Sequence, residues 1–203
     1  MVMQQATDFL EESKALAGLL AALSDSDFET QTQFKGWTIN NIVRHLHVWN
    51  IAVDLSLQDE AEFGAFVAAM MAGVRGGKLP AFEASYLDGL SGQALLRAWL
   101  ERAEAVAAAF ADADPKLRLK WVGPDMSALS SITARLMETW AHAQAVYDVL
   151  GVARQDTDRI GNIVRLGVNT WGFTWKNRRQ DPPGPMPQVH LTAPSGTIWE
   201  YGE

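Results

Sequence analysis

The chain has 203 residues, 48% of them hydrophobic and 20% charged, with a formal net charge of -7. This is the balance of a globular chain with one sizeable domain, and its acidity speaks against non-specific nucleic-acid binding, which needs Lys and Arg against phosphates. It contains no cysteine, which excludes disulfides, iron–sulfur clusters, thiolate-held zinc and a Cys nucleophile and leaves His, carboxylate and water as the only ligands for a metal.

The opening Met-Val-Met-Gln-Gln-Ala-Thr-Asp has no basic stretch followed by an apolar run, so it does not read as a signal peptide. Nor does any window hold the ~18 apolar residues of a membrane span; the expected compartment is the cytoplasm. Residues 5–24 read as a helix, with Phe9, Leu16, Leu20 and Leu23 on one face. Residues 24–35 are polar and read as a loop. Thr38 is placed to cap a second helix whose stripe is Ile42, Leu46, Trp49 and Val53. A third, Ala-rich helix is expected over 60–74, stopped by Gly76, Gly77 and Pro80.

Residues 78–91 read as a long connection. A fourth helix follows over 92–112, with Leu95, Leu96, Leu100, Ala103 and Ala107 inward, and Asp114-Pro115 after it. Ser127 is placed to cap a fifth helix that ends at Leu150 before Gly151. A sixth is expected from about Asp156 to Arg178. Five residues between 182 and 187 are Pro or Gly, a stiff linker. Beyond it Val189 and Leu191 alternate with polar residues, and Pro194-Ser195-Gly196 makes a turn before Ile198-Trp199-Glu200-Tyr201: a β-hairpin. A lone hairpin is marginal in water, so this one must dock on the helices, pair with another chain, or begin a further sheet. The expected organisation is a helical bundle over 1–181 and a linker with hairpin over 182–203.

Candidate chemistry sits on the second and fifth helices. Glu138 and His142 are four apart and share a helix face. His45 borders the apolar stripe beside Trp49, whereas His47 points nearly the opposite way and reads as a surface residue. One imidazole from one helix and an imidazole–carboxylate pair from another are how bundle cores build metal sites, and three protein ligands with an open position is the arrangement of a catalytic zinc. A thiol in that position would be held as thiolate. A plainer alternative stands beside it: Arg135, three residues before Glu138, forms an exposed ion pair with it, and His45 is a hydrogen-bonded core histidine. Trp37, Trp49, Trp140 and Trp171 read as core filling, the Lys176–Arg179 run as a solvated helix end, and His190 as an outward-facing hairpin residue.

The segment Gly36-Trp37-Thr38-Ile39-Asn40-Asn41-Ile42-Val43-Arg44-His45-Leu46 resembles the Gly-Trp-Ser/Thr…His-Leu signature of the DinB-like metalloprotein superfamily. Glu138-Thr139-Trp140-Ala141-His142, closing with Asp148-Val149-Leu150-Gly151, resembles the branch containing mycothiol-dependent maleylpyruvate isomerase. The resemblance extends through Arg165–Val168 to Val189–Gly196, the linker and start of that branch's C-terminal domain. It implies an all-α fold: an up-down four-helix bundle with extra helices and a short hairpin. It implies a divalent ion, zinc or nickel, held by His45, Glu138 and His142. It also implies a low-molecular-weight thiol (mycothiol, bacillithiol or glutathione) attacking a small electrophile, in an isomerase or transferase. Superfamily members often dimerise through helix faces, which leaves a homodimer open. The sequence departs from the pattern at Ala145, where relatives often have Asp, and in a C-terminal domain that is cut short or vestigial. A non-catalytic metal- or ligand-binding bundle is the alternative.

Overall fold

The computed structural model describes residues 2–75 and 78–202. By its contacts the chain divides into two compact units, Met1–Arg154 and Gln155–Glu203. The division falls earlier than the Pro-rich stretch at 182. Among the described residues no helix is long and apolar enough to cross a membrane.

The first unit is built on four long helices: α1 (Gln4–Leu20), α2 (Ile39–Gln58), α5 (Gly92–Ala111) and α6 (Ala128–Leu150). α1 packs on α5 and α6, and α2 packs on the same two. α3 (Glu60–Arg75) and α4 (Leu79–Tyr86) lie against α2. The core takes in the apolar stripes read from the sequence, with Phe9, Leu16, Leu20, Ile42, Leu46 and Leu95 sealed from solvent; Ile132 and Leu136 of α6 join them, as does Trp99, the largest side chain fully buried. Leu23 and Leu100 pack at its edge.

Local chemistry sets the helix ends. The Thr38 hydroxyl accepts from the Asn41 backbone N–H (3.2 Å), while the Asn41 side chain accepts from the Thr38 N–H (3.0 Å). This reciprocal cap satisfies two orphan donors of α2. Ser127 accepts from the Ser130 N–H at 3.1 Å to open α6. Gly151, at φ 67°, closes it in the left-handed conformation that glycine adopts without a Cβ penalty. Beyond it Arg154 turns back to donate to the Trp140 carbonyl (2.6 Å), pairs with Glu12 of α1, and lies over the rings of Trp140 and Tyr147.

Residues 78–91, expected as a connection, contain α4 instead. Pro80 opens this helix rather than stopping the one before; its missing N–H costs nothing in a first turn. Gly76 and Gly77, expected to end α3, lie outside the described residues. A two-residue strand pair, β1 (Arg118–Leu119) with β2 (Met126–Ser127), precedes α6 and was not expected.

In the second unit the expected sixth helix is interrupted. It consists of a 3-10 turn at Asp158–Ile160, then α7 (Gly161–Asn169) and α8 (Trp171–Asn177). The break falls at Thr170, whose hydroxyl donates to the Gly167 carbonyl at 2.9 Å; Gly167 and Gly172 on either side weaken the helix further. The hairpin forms as read: β3 (Val189–Thr192) pairs antiparallel with β4 (Ile198–Tyr201), Leu191 opposite Trp199. It docks on helical residues of its own unit. Asp158 accepts from the Ser195 N–H (2.9 Å) and hydroxyl (2.6 Å), and Trp199 packs so close to Gly161 that a Cβ there would meet the ring at 3.0 Å. His190 faces outward, paired with Glu200 at 3.1 Å.

Candidate metal centre

α2 and α6 bring His45, Glu138 and His142 together: one donor atom from each lies within 4.8 Å of the other two. Glu138 Oε2 stands 3.2 Å from His142 Nε2 and 3.6 Å from His45 Nε2. Those separations bracket the ~3.3 Å edge of a tetrahedron with metal–ligand bonds of ~2.0–2.1 Å. Two imidazole nitrogens and one carboxylate oxygen are a donor set that could hold a borderline divalent ion such as zinc or nickel. His45 is buried, whereas Glu138 keeps about a third of its side chain exposed (32%), so the trio lies near the surface.

The electrostatics suit a cation. Hydrogen bonds from His142 and His45 hold the Glu138 carboxyl well below the usual carboxylate range against the opposing effect of burial, with the field of Arg135 adding to them. For His45, burial works hardest against the charged ring, but its hydrogen bonds to Glu138 and Glu83 outweigh it and raise the pKa. The trio is a fixed anion with two imidazoles turned toward it.

Glu83, on α4, escaped the sequence reading because its stretch was taken for a connection. Its carboxylate is fully buried and sits 2.7 Å from His45 Nδ1; the same oxygen accepts from the Trp49 indole N–H at 3.1 Å. A carboxylate on Nδ1 keeps a proton there and leaves Nε2, the atom facing Glu138, as the nitrogen that could coordinate an ion.

Aromatic rings surround the trio. The loop before α2 is tied by the Thr32 N–H and hydroxyl, both donating to the Trp37 carbonyl (2.8 and 2.9 Å). Its sharp bend runs through Lys35 (φ 54°) and Gly36 (φ 69°). This geometry sets Phe34 edge-on to His142 (ring centroids 5.0 Å apart) and Trp37 parallel to it (5.9 Å, 1°). Trp37 and Trp49 were expected in the core; both are half-buried instead, because they flank His45 at the edge of the bundle. Trp140 and Trp171 are half-buried too, and Trp99 is the tryptophan that fills the core.

Two further expectations fail. Arg135 does not form an exposed pair with Glu138. It is buried, donates from Nε to Asn50 at 3.2 Å, and reaches Glu138 only through its field; burial lowers its pKa to about 10. His47 is not a surface residue either. It is 7% exposed and turned from the trio, against a cavity of about 310 Å³ lined also by Ala98, Glu101 and Arg102. Burial, and then the field of Arg102, lowers its pKa to about 4.

Comparison with known proteins follows the same lines. Residues 9–147 match the family model described as the mycothiol maleylpyruvate isomerase N-terminal domain. The uncharacterized proteins MT0041 and Rv0036c of Mycobacterium tuberculosis are each 38% identical to the chain over 197 residues, which is 96% of this chain and 75% of the relative. The crystal structure of the mycothiol-dependent maleylpyruvate isomerase superposes with a TM-score of 0.60 at 17% identity, covering 96% of this chain and 78% of that one. A histidine-to-alanine mutant of the isomerase gives the same TM-score at 16% identity. At these identities the structural match speaks for the fold.

Proposed function

The chain belongs to the mycothiol maleylpyruvate isomerase N-terminal domain family, and from that premise we propose that it is a metal- and thiol-dependent enzyme, an isomerase or S-transferase acting on a small electrophile. His45, Glu138 and His142 are the proposed ligands of a divalent ion, zinc before nickel. The cosubstrate is a low-molecular-weight thiol, mycothiol first because the matched isomerase is mycothiol-dependent. The cytoplasm, where such thiols stay reduced, is the proposed place of work.

One observation carries the reading: three donors from two helices converge within 4.8 Å while a buried carboxylate orients one of them from behind. A structural core histidine needs one hydrogen-bond partner; His45 has a carboxylate on each ring nitrogen. When bound, the ion would supply the charge that keeps a thiol deprotonated beside it. The chain's own groups do the rest. Glu138 brings the negative charge that favours a cation. Glu83 keeps the Nδ1 proton of His45. Phe34 and Trp37 pack against the His142 ring and shield part of it from solvent.

Elemental analysis of the gently purified protein tests this. Close to one divalent ion per chain is expected, with loss in His45→Ala and in His142→Ala. Addition of mycothiol to the cobalt-substituted protein is then expected to change the visible spectrum as sulfur enters the coordination shell. A wild-type protein free of metal would end the metal reading, and a cobalt spectrum indifferent to mycothiol, bacillithiol and glutathione would end the thiol reading.

A further inference from the structure

Arg135 stands three residues before Glu138 on α6, a spacing at which the two side chains could pair. The guanidinium turns inward instead. It is 3% exposed, its Nε donates to the Asn50 side-chain oxygen at 3.2 Å, and its Nη2 has no partner among the described residues. The polar groups nearest by position are neutral: Asn50 on α2 and, one turn further along α6, Thr139, whose hydroxyl is buried. Burial lowers the pKa of Arg135 only to about 10, so it stays charged at neutral pH. A buried cation that meets its carboxylate only as a field costs stability, and an apolar side chain of similar size would pack as well. Packing therefore does not account for this charge. Its field reaches both Glu138 and His45, and water does not screen it as it screens an exposed charge.

We propose that Arg135, held back from Glu138 by Asn50, is a positioning residue of the trio: its buried charge loosens the hold of His45, Glu138 and His142 on a divalent ion and tightens the hold of that ion on an anion, so that a thiolate is taken in preference to a neutral donor. A positive charge fixed one to two helical turns from the ligands repels a cation and attracts an anion, and burial makes the effect large. Closed on Glu138, the same guanidinium would compete with the ion for the carboxylate; the bond to Asn50 keeps it away. Glu83 acts in the opposite sense, as an anion behind His45. The inference rests on the metal reading of the trio, and its test is separable from that reading.

The full chain is loaded with cobalt(II), and its affinity for the ion is read by competition with a chromophoric chelator. The loaded protein is then titrated with azide, a monoanion, and with imidazole, a neutral donor at pH ~8, while the visible spectrum is followed. Arg135→Met removes the charge at similar volume. Asn50→Asp keeps the guanidinium and sets a carboxylate where the amide oxygen already receives it. Each variant is expected to bind cobalt ~10-fold more tightly and azide ~5-fold more weakly, with imidazole changed by less than ~2-fold. Melting temperature is measured on the same samples; should Arg135→Met fail to fold, Asn50→Asp decides. Cobalt and azide affinities that fall together would make Arg135 a packing residue, and affinities that do not move in the folded variants would make its field irrelevant; either result overturns the proposal. A wild-type chain that takes up no cobalt would remove the metal reading and this inference with it. One cobalt per chain, with azide binding unchanged by both substitutions, removes this inference alone.

Discussion

Glu83 Oε1 lies 2.7 Å from His45 Nδ1, joining a residue of α4 to one 38 positions earlier on α2, with both side chains nearly closed to solvent. The pair ties α4, which contributes nothing to the trio, to the orientation of one of the trio's members.

That pairing predicts a metal-affinity defect without a change of ligand. Glu83→Ala is expected to weaken zinc binding roughly 10- to 100-fold, the usual cost of losing the carboxylate behind a coordinating imidazole. Glu83→Gln keeps an acceptor for the Nδ1 proton and should lose less. Trp49→Phe removes the other partner of Glu83 and should leave affinity nearly unchanged. Competition titration against a chromophoric chelator reads all three. Equal losses in Trp49→Phe and Glu83→Ala would mean that the carboxylate only props the packing.

His47 gives a pH dependence of stability in the chelated, metal-free protein. Its folded pKa, about 4, lies below the ordinary 6.5. Between those values the unfolded chain binds the proton and the folded one does not. The stability contributed by the neutral buried ring is therefore complete above pH ~6.5 and lost as pH falls toward 4. Urea denaturation of wild type and His47→Leu across pH 4–8 should show wild type losing ground to the variant only below pH ~6.5. Parallel curves throughout would show that the ring is free to charge in the fold.

Arg154 and Glu12 form an ion pair between the end of α6 and α1, each side chain 6% exposed. Removing one partner of such a pair strands the other charge in the interior. Arg154→Ala should destabilise the protein by about 3–5 kcal/mol, whereas Arg154→Met with Glu12→Leu should recover most of that. Guanidinium unfolding at neutral pH measures both. A double variant no better than the single one would assign the loss to the contacts of Arg154 with Trp140 and Tyr147 instead.

What could be read in advance was what is encoded locally. Thr38, Ser127 and Gly151 mark helix ends through bonds within a few residues of themselves, and Glu138 and His142 share a face by spacing alone. The missed features are non-local. α4 has eight residues, too few for apolar periodicity to stand out, so Glu83 stayed hidden with it. His47 was assigned to solvent from helical phase, which holds for a helix with one covered face. α2 is flanked by α3, α4, α5 and α6, so its opposite face is covered as well. Arg135 was misread for the same reason: three-residue spacing to Glu138 says nothing of the Asn50 that receives it from α2.

The bend at Lys35 and Gly36 has a further consequence. It stands directly before the Thr38 cap, so Phe34, Trp37, His45 and Trp49 all belong to one unbroken stretch of chain. One member of the trio and three of the rings around it are therefore carried by a single segment. Lengthening the bend by a residue would move Phe34 relative to His45, whereas Trp49, one turn further along α2, would keep its place. The surroundings of His45 can therefore be altered through the length of a single loop, with the spacing of Glu138 and His142 on α6 left as it was.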